Sequence, residues 1–307
     1  MSDAEVEAFL TARHGGEPIT DLEALSGGFW SSAFGYRSAD GHDLVVRFGQ
    51  LRDGFEADRS AMAYAGPDLP VPEVLEIGEA FDGAYAISVR ASGRFLEDVT
   101  PDEADVAGPT IVRLLGALHA VPADEAVAAA PPDAWRRFLL DGLVDDPART
   151  VHGWRDRLAA DPALDRLFRA CESRVLELSD ACPERRDVVH GDLLHGNVLV
   201  TDDASKVNAV FSWKCSVRGD FLFDTAWCTF WSHIHPGIAA ADVLGRVTRS
   251  DWATADPADL DDAAVRHHCY ELQIGASHLG WLTWTGDDAG LRALADHLAA
   301  ILERGPD

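Results

Sequence analysis

The feature that most constrains this chain is the stretch Val188-Val189-His190-Gly191-Asp192-Leu193-Leu194-His195-Gly196-Asn197-Val198-Leu199-Val200. Apolar runs flank a polar, glycine-broken middle, a pattern that predicts strand, tight loop, strand. The loop carries one carboxylate, Asp192, and one amide, Asn197, five positions later. Such a pair suits phosphorylation of a hydroxyl. The carboxylate orients the attacking hydroxyl and accepts its proton, and the amide oxygen ligates a magnesium ion on the nucleotide phosphates. The plain alternative is a hairpin with a polar loop.

The Asp-to-Asn spacing matches the protein-kinase catalytic loop. Further on stand Val210-Phe211-Ser212-Trp213 and Gly219-Asp220-Phe221-Leu222-Phe223-Asp224. With His-Gly-Asp, four residues and Asn, these segments resemble the aminoglycoside phosphotransferase family, small-molecule relatives of protein kinases. The resemblance implies an α+β, two-lobed kinase-like fold. A small β-rich N-terminal lobe is expected over 1–92, and a larger, mainly helical C-terminal lobe over 93–307. It implies Asp192 as catalytic base, Asn197 as metal ligand, and ATP or GTP with Mg2+ as cofactors. His190 and Asp220 are expected to brace the loop, Asp220 by accepting loop amides.

Ser212 departs from the family, which has a metal-binding Asp there. A serine hydroxyl is neutral and shorter, and magnesium prefers charged oxygens. Three readings follow. Water or another acid such as Asp220 fills the position; or the protein is a pseudokinase-like binding protein; or the sequence is an inactivated form of an active enzyme.

The first lobe supplies the nucleotide candidates. Gly27-Gly28 turns between two strands, with Ser31 and Ser32 as hydroxyl donors beside it. Leu44 to Phe48 reads as a strand with Arg47 among apolar residues, where the resemblance places a phosphate-binding cation. Residues 53–65 suit a helix whose Glu56, with Asp58 competing, pairs with that cation. Ser88 to Arg90 and Ala91 fall by position at the lobe linker, where backbone groups read the base. Residues 51–81, ending in Leu69-Pro70-Val71-Pro72-Glu73-Val74-Leu75-Glu76-Ile77-Gly78-Glu79, resemble the hygromycin B branch of the family.

Composition narrows the partners. The chain has 307 residues, with 26 basic against 52 acidic, a net charge of −26. A nucleic-acid partner is disfavoured, because phosphate backbones need a basic footprint. A small cationic, hydroxylated substrate is drawn in. Together with the resemblance this predicts phosphate transfer to an aminoglycoside and antibiotic resistance, with Asp224 and Glu271 as acidic substrate contacts. The five cysteines include no Cys-x-x-Cys pair, so free thiols are expected. His267-His268 reads as a helix surface. The last two helices, roughly 260–281 and 288–303, read as amphipathic. No apolar run approaches a membrane span, the acidic N-terminus lacks a signal peptide's basic region, and a cytoplasmic location is expected. Whether the protein is a monomer or a dimer is not set by the sequence.

Overall fold

The structure is a computed structural model that describes residues 2–25, 28–123 and 131–306. The chain divides into two compact units, Met1–Ala117 with Asp192–Ser216, and Leu118–Gly191 with Val217–Asp307.

The first unit opens with helix α1 (Asp3–Arg13). Ser2 caps it in a reciprocal box, donating its N–H to Glu5 Oε2 at 2.7 Å while its hydroxyl oxygen accepts the Glu5 N–H. A five-stranded antiparallel sheet follows, built from β1 (Thr20–Leu25), β2 (Ser31–Arg37), β3 (Asp43–Gly49), β4 (Val74–Ala80) and β5 (Gly83–Val89), in the order β1-β2-β3-β5-β4. Helix α2 (Arg52–Ala61) lies between β3 and β4 in sequence.

Strand alternation sorts the side chains onto two faces. Phe34, Tyr36, Leu44, Val46, Phe48, Tyr85 and Ile87 pack with Val6 and Leu10 of α1. Ala84 and Ala86, one position out of step, pack with Phe55 of α2 and Val74. The intervening residues Ser31, Ala33, Val45, Arg47 and Ser88 are thereby left to line a cleft.

The sheet stops at Val89, near the expected boundary at 92, yet the compact unit extends to Ala117. Strand β6 (Arg94–Phe95) pairs with β8 (Val198–Val200), and β8 with β9 (Val207–Val210). Thr110 of helix α3 (Ala104–His119) donates to Ala204 O at 2.9 Å. These contacts bind residues 192–216 to the first unit, although the lobe expectation put them in the second. Gly93 permits the join: its φ is 132°, and a Cβ there would sit 2.3 Å from Val200 O.

The second unit is mainly helical. Its helices are α4 (Ala134–Asp141), α5 (Arg155–Ala159), α6 (Pro162–Leu178), α7 (Leu222–Trp231), α8 (Pro236–Ala240), α9 (Val243–Val247), α10 (Ala263–Thr285) and α11 (Asp288–Arg304). Strand β7 (Asp187–Val189) pairs antiparallel with β10 (Val217–Gly219). Helix α10 packs against α6, α7 and α11 and is buried without a break from Arg266 to Ala276. It is therefore buried all round, not amphipathic, because three helices take its sides. For the same reason His267 and His268, expected on a helix surface, are 6% and 2% exposed.

Candidate active site

The loop after β7 holds the predicted pair together. Asn197 donates its amide Nδ2 to Asp192 Oδ2 and to Asp192 O, both at 2.8 Å. His195 Nδ1 lies 2.9 Å from the other carboxylate oxygen, Oδ1. Both oxygens of Asp192 are thus engaged, and a side chain about a quarter exposed is fixed in place. The chain makes this turn with His195 at φ 64° and Gly196 at φ 78°, and the Gly196 N–H is accepted by Glu97.

Asn197 O accepts the Phe211 N–H at 3.0 Å, which ties the loop to the end of β9. There Ser212 is left-handed, at φ 71° and ψ 52°. The next amide, Trp213 N–H, donates to Asp58 Oδ1 at 2.8 Å. Asp58 Oδ2 pairs with Arg47, whose guanidinium sits 5.1 Å from the Phe55 ring centroid.

A cleft of about 570 Å³ within the first unit is lined by Ser31, Arg47, Asp58, Ser88, Arg90, Glu97, Asp98, His195, Asn197 and Ser212, among others. Asp192 meets it through its partners His195 and Asn197. Arg90 ion-pairs with Glu23 at 2.7 Å and lies across Gly35, where a Cβ would be 2.7 Å from its Nη1. Burial raises the Glu97 carboxyl above the usual range, and its buried Oε2 has no partner among the described residues.

Four predicted residues stand elsewhere. Ser32 pairs with Phe48 and shares its face of the sheet, away from the cleft. Glu56 faces outward on α2 and pairs with Arg52 and Arg59. The helix places Phe55, Asp58 and Ala61 on its buried side, so Asp58 and not Glu56 is the partner of Arg47.

Asp224, expected to meet substrate, is 1% exposed and accepts the N–H groups of His190 and Gly191 at 2.7 and 2.8 Å. Glu271 is 3% exposed and is bound by Arg304 at 2.6 Å and Thr229 at 3.3 Å. Both carboxylates are structural, because buried charge must be paired.

Asp220 does not fill in for the carboxylate absent at Ser212. It is fully buried in the second unit, where Arg266 donates to both its oxygens at 2.7 and 2.8 Å and Tyr270 adds a bond at 2.6 Å. The loop amides expected on Asp220 are taken by Asp224.

Sequence reasoning overlooked His195 and Glu97. His195 sits inside the motif, but nothing in a linear sequence shows that its ring turns back on Asp192. Glu97 is brought to Gly196 by the β6–β8 pairing, a contact across about a hundred residues of chain.

The donor set bears on the magnesium ion that the loop implies. With Nδ2 spent on Asp192, Asn197 presents Oδ1, and Ser212 adds a hydroxyl. Among the described residues, no group of three or more His, Cys, Asp or Glu side chains could hold a metal. Magnesium keeps several waters and binds through few protein ligands together with substrate phosphates. These residues fit an ion that arrives on a nucleotide.

A model of the phosphotransferase enzyme family matches residues 21–258. The chain belongs to this phosphotransferase enzyme family. It is 30% identical over 241 residues to hygromycin-B 4-O-kinase of Escherichia coli, covering 75% of this chain and 67% of that protein. Among solved structures it resembles a thermostable variant of aminoglycoside phosphotransferase APH(4)-Ia in ternary complex with AMP-PNP and hygromycin B. There the TM-score is 0.79 at 25% identity, over 97% of this chain and 98% of that one. Macrolide 2'-phosphotransferase MphH from Brachybacterium faecium shares the fold at a TM-score of 0.56 and 22% identity, over 96% and 97% of the two chains. The two-lobed kinase-like fold is therefore that of this phosphotransferase, a small-molecule O-phosphotransferase. The binding-only alternative raised by Ser212 is not favoured by these relatives.

Proposed function

We propose that this phosphotransferase moves the γ-phosphate of ATP or GTP to a hydroxyl of a hygromycin-like aminoglycoside in the cytoplasm, conferring resistance. The observation that carries the reading is the Asp192–Asn197 hydrogen bond beside a cleft that also holds Arg47 and Ser212.

Asp192 orients the substrate hydroxyl and takes its proton as the oxygen attacks the γ-phosphorus. The bond to the β-phosphate oxygen breaks and the nucleoside diphosphate leaves. Positioning supplies much of the rate in such a loose transition state. Arg47, held by Asp58, faces the α- and β-phosphates. Ser31, the first residue of β2, supplies a hydroxyl to the phosphates, the Gly27 turn before it lying outside the described residues, and the backbone from Ser88 to Ala91 reads the base. Asn197 and Ser212 would hold Mg2+, which supplies charge neutralisation on the phosphates when bound. The net charge of −26 favours a polycationic acceptor.

The test is mass spectrometry of hygromycin B and a panel of other aminoglycosides after incubation with nucleotide and Mg2+. Gain of one phosphoryl group by hygromycin B supports the assignment, and an unmodified panel contradicts it.

A further inference from the structure

The geometry points to a role for His195: we propose that it is a positioning residue that holds the carboxylate plane of Asp192. The proposal rests on the reading of Asp192 as base.

A carboxylate hydrogen-bonded at one oxygen can still tilt about that bond, and a second bond at its other oxygen restrains the plane further. Asn197 Nδ2 engages Oδ2 and the backbone carbonyl of the same residue. His195 Nδ1, 2.9 Å from Oδ1, adds the restraint on the other oxygen. Opposite a carboxylate, Nδ1 is the donor of this hydrogen bond. The three groups lie within six consecutive residues, Asp192 to Asn197, and belong to one compact unit.

His195 is left-handed, at φ 64°, a region uncommon for residues with a Cβ in which Asn, Asp and His are the enriched exceptions. The left-handed turn and the ring contact with Asp192 occur at the same residue. Here the side chain reaches Asp192 and also lines the cleft.

Three substitutions separate backbone from side chain. Gly at 195 accepts the left-handed φ and removes the donor. Asn at 195 accepts the φ and returns an N–H near the place of Nδ1. Ala removes the donor and keeps the strain. The expected result is that His195→Gly lowers kcat and kcat/KM together, by about 10- to 100-fold, with nucleotide KM and thermal midpoint unchanged. His195→Asn should stay within about threefold of wild type. His195→Ala should match His195→Gly in rate and melt lower.

Asp192→Asn is measured alongside. If it is inactive while His195→Gly is as fast as wild type, His195 is idle and the proposal fails, although the base assignment stands. If His195→Asn is as slow as His195→Gly, the hydrogen bond is not what the position supplies, and the proposal fails again. If Asp192→Asn itself keeps full transfer, the base assignment falls first and takes the proposal with it.

Discussion

Asp58 accepts the backbone N–H of Trp213 at 2.8 Å through one carboxylate oxygen and pairs with Arg47 through the other. One buried acid on α2 thereby fixes both the cleft's cation and the residue that follows Ser212. Removing one partner of a buried ion pair leaves the other charge uncompensated and costs about 3–5 kcal/mol. Arg47 keeps some exposure, so the lower end applies. Asp58→Ala should therefore destabilise by about 3 kcal/mol in urea unfolding and raise nucleotide KM at least tenfold. Glu56→Ala should change stability by less than about 0.5 kcal/mol and leave KM alone. A reversal of this ranking would return the ion-pair role to Glu56.

Ser212 occupies a left-handed backbone position that aspartate tolerates better than most residues. Ser212→Asp should fold normally and add an anionic oxygen to a donor set that is poor in charge. The expected result is a drop of about tenfold in the Mg2+ concentration needed for half-maximal transfer, with kcat equal or higher. Titration of the rate with Mg2+ for both proteins checks it. An unchanged requirement would mean that Ser212 does not face the ion.

Much of this was legible in the sequence, for a physical reason. The glycine-broken loop gave the Asp192-to-Asn197 spacing directly, and a short strand of apolar residues marked Arg47 as the cation among them. Other readings failed because the partner lies far away in the chain. Asp224 and Glu271 read as substrate contacts, but their partners His190, Gly191, Arg304 and Thr229 stand far from them in the sequence. Glu56 and Asp58 differ by two positions on a helix, and only the packing of Phe55 tells which faces inward. Helix α10 reads as amphipathic until three neighbouring helices cover it.

Asp224 tests the structural assignment. Both its oxygens accept backbone N–H groups in a site that is 1% exposed. Asp224→Asn replaces one acceptor with an NH2 that faces an N–H donor. The expected cost is about 1–3 kcal/mol of folding stability, read as a lower denaturant midpoint with an unchanged slope. A substrate-binding Asp224 would give the opposite pattern, with a higher aminoglycoside KM and unchanged stability.

His267 gives a pH dependence. Burial first, then Arg304 and His268, push its pKa down from 6.5 to about 3. Glu271, 3.7 Å away, does not offset this because Arg304 already pairs with it. The folded form is neutral, and the unfolded chain binds the extra proton below its ordinary pKa. Stability contributed by this group is therefore present above pH 6.5 and lost as pH falls toward 3. Between pH 6 and 5, before most carboxylates titrate, the slope from this residue should approach about 1.4 kcal/mol per pH unit. His267→Gln should flatten that part of the curve, and denaturant melts across the range measure it. An equally steep slope in the variant would assign the acid sensitivity to other groups.

The most direct test of the account compares phosphoryl transfer to hygromycin B by the native protein and by Asp192→Asn, with nucleotide affinity measured in parallel. The account predicts that transfer falls by about 10²- to 10⁴-fold while nucleotide binding stays within a small factor. Transfer by Asp192→Asn at the native rate would contradict it.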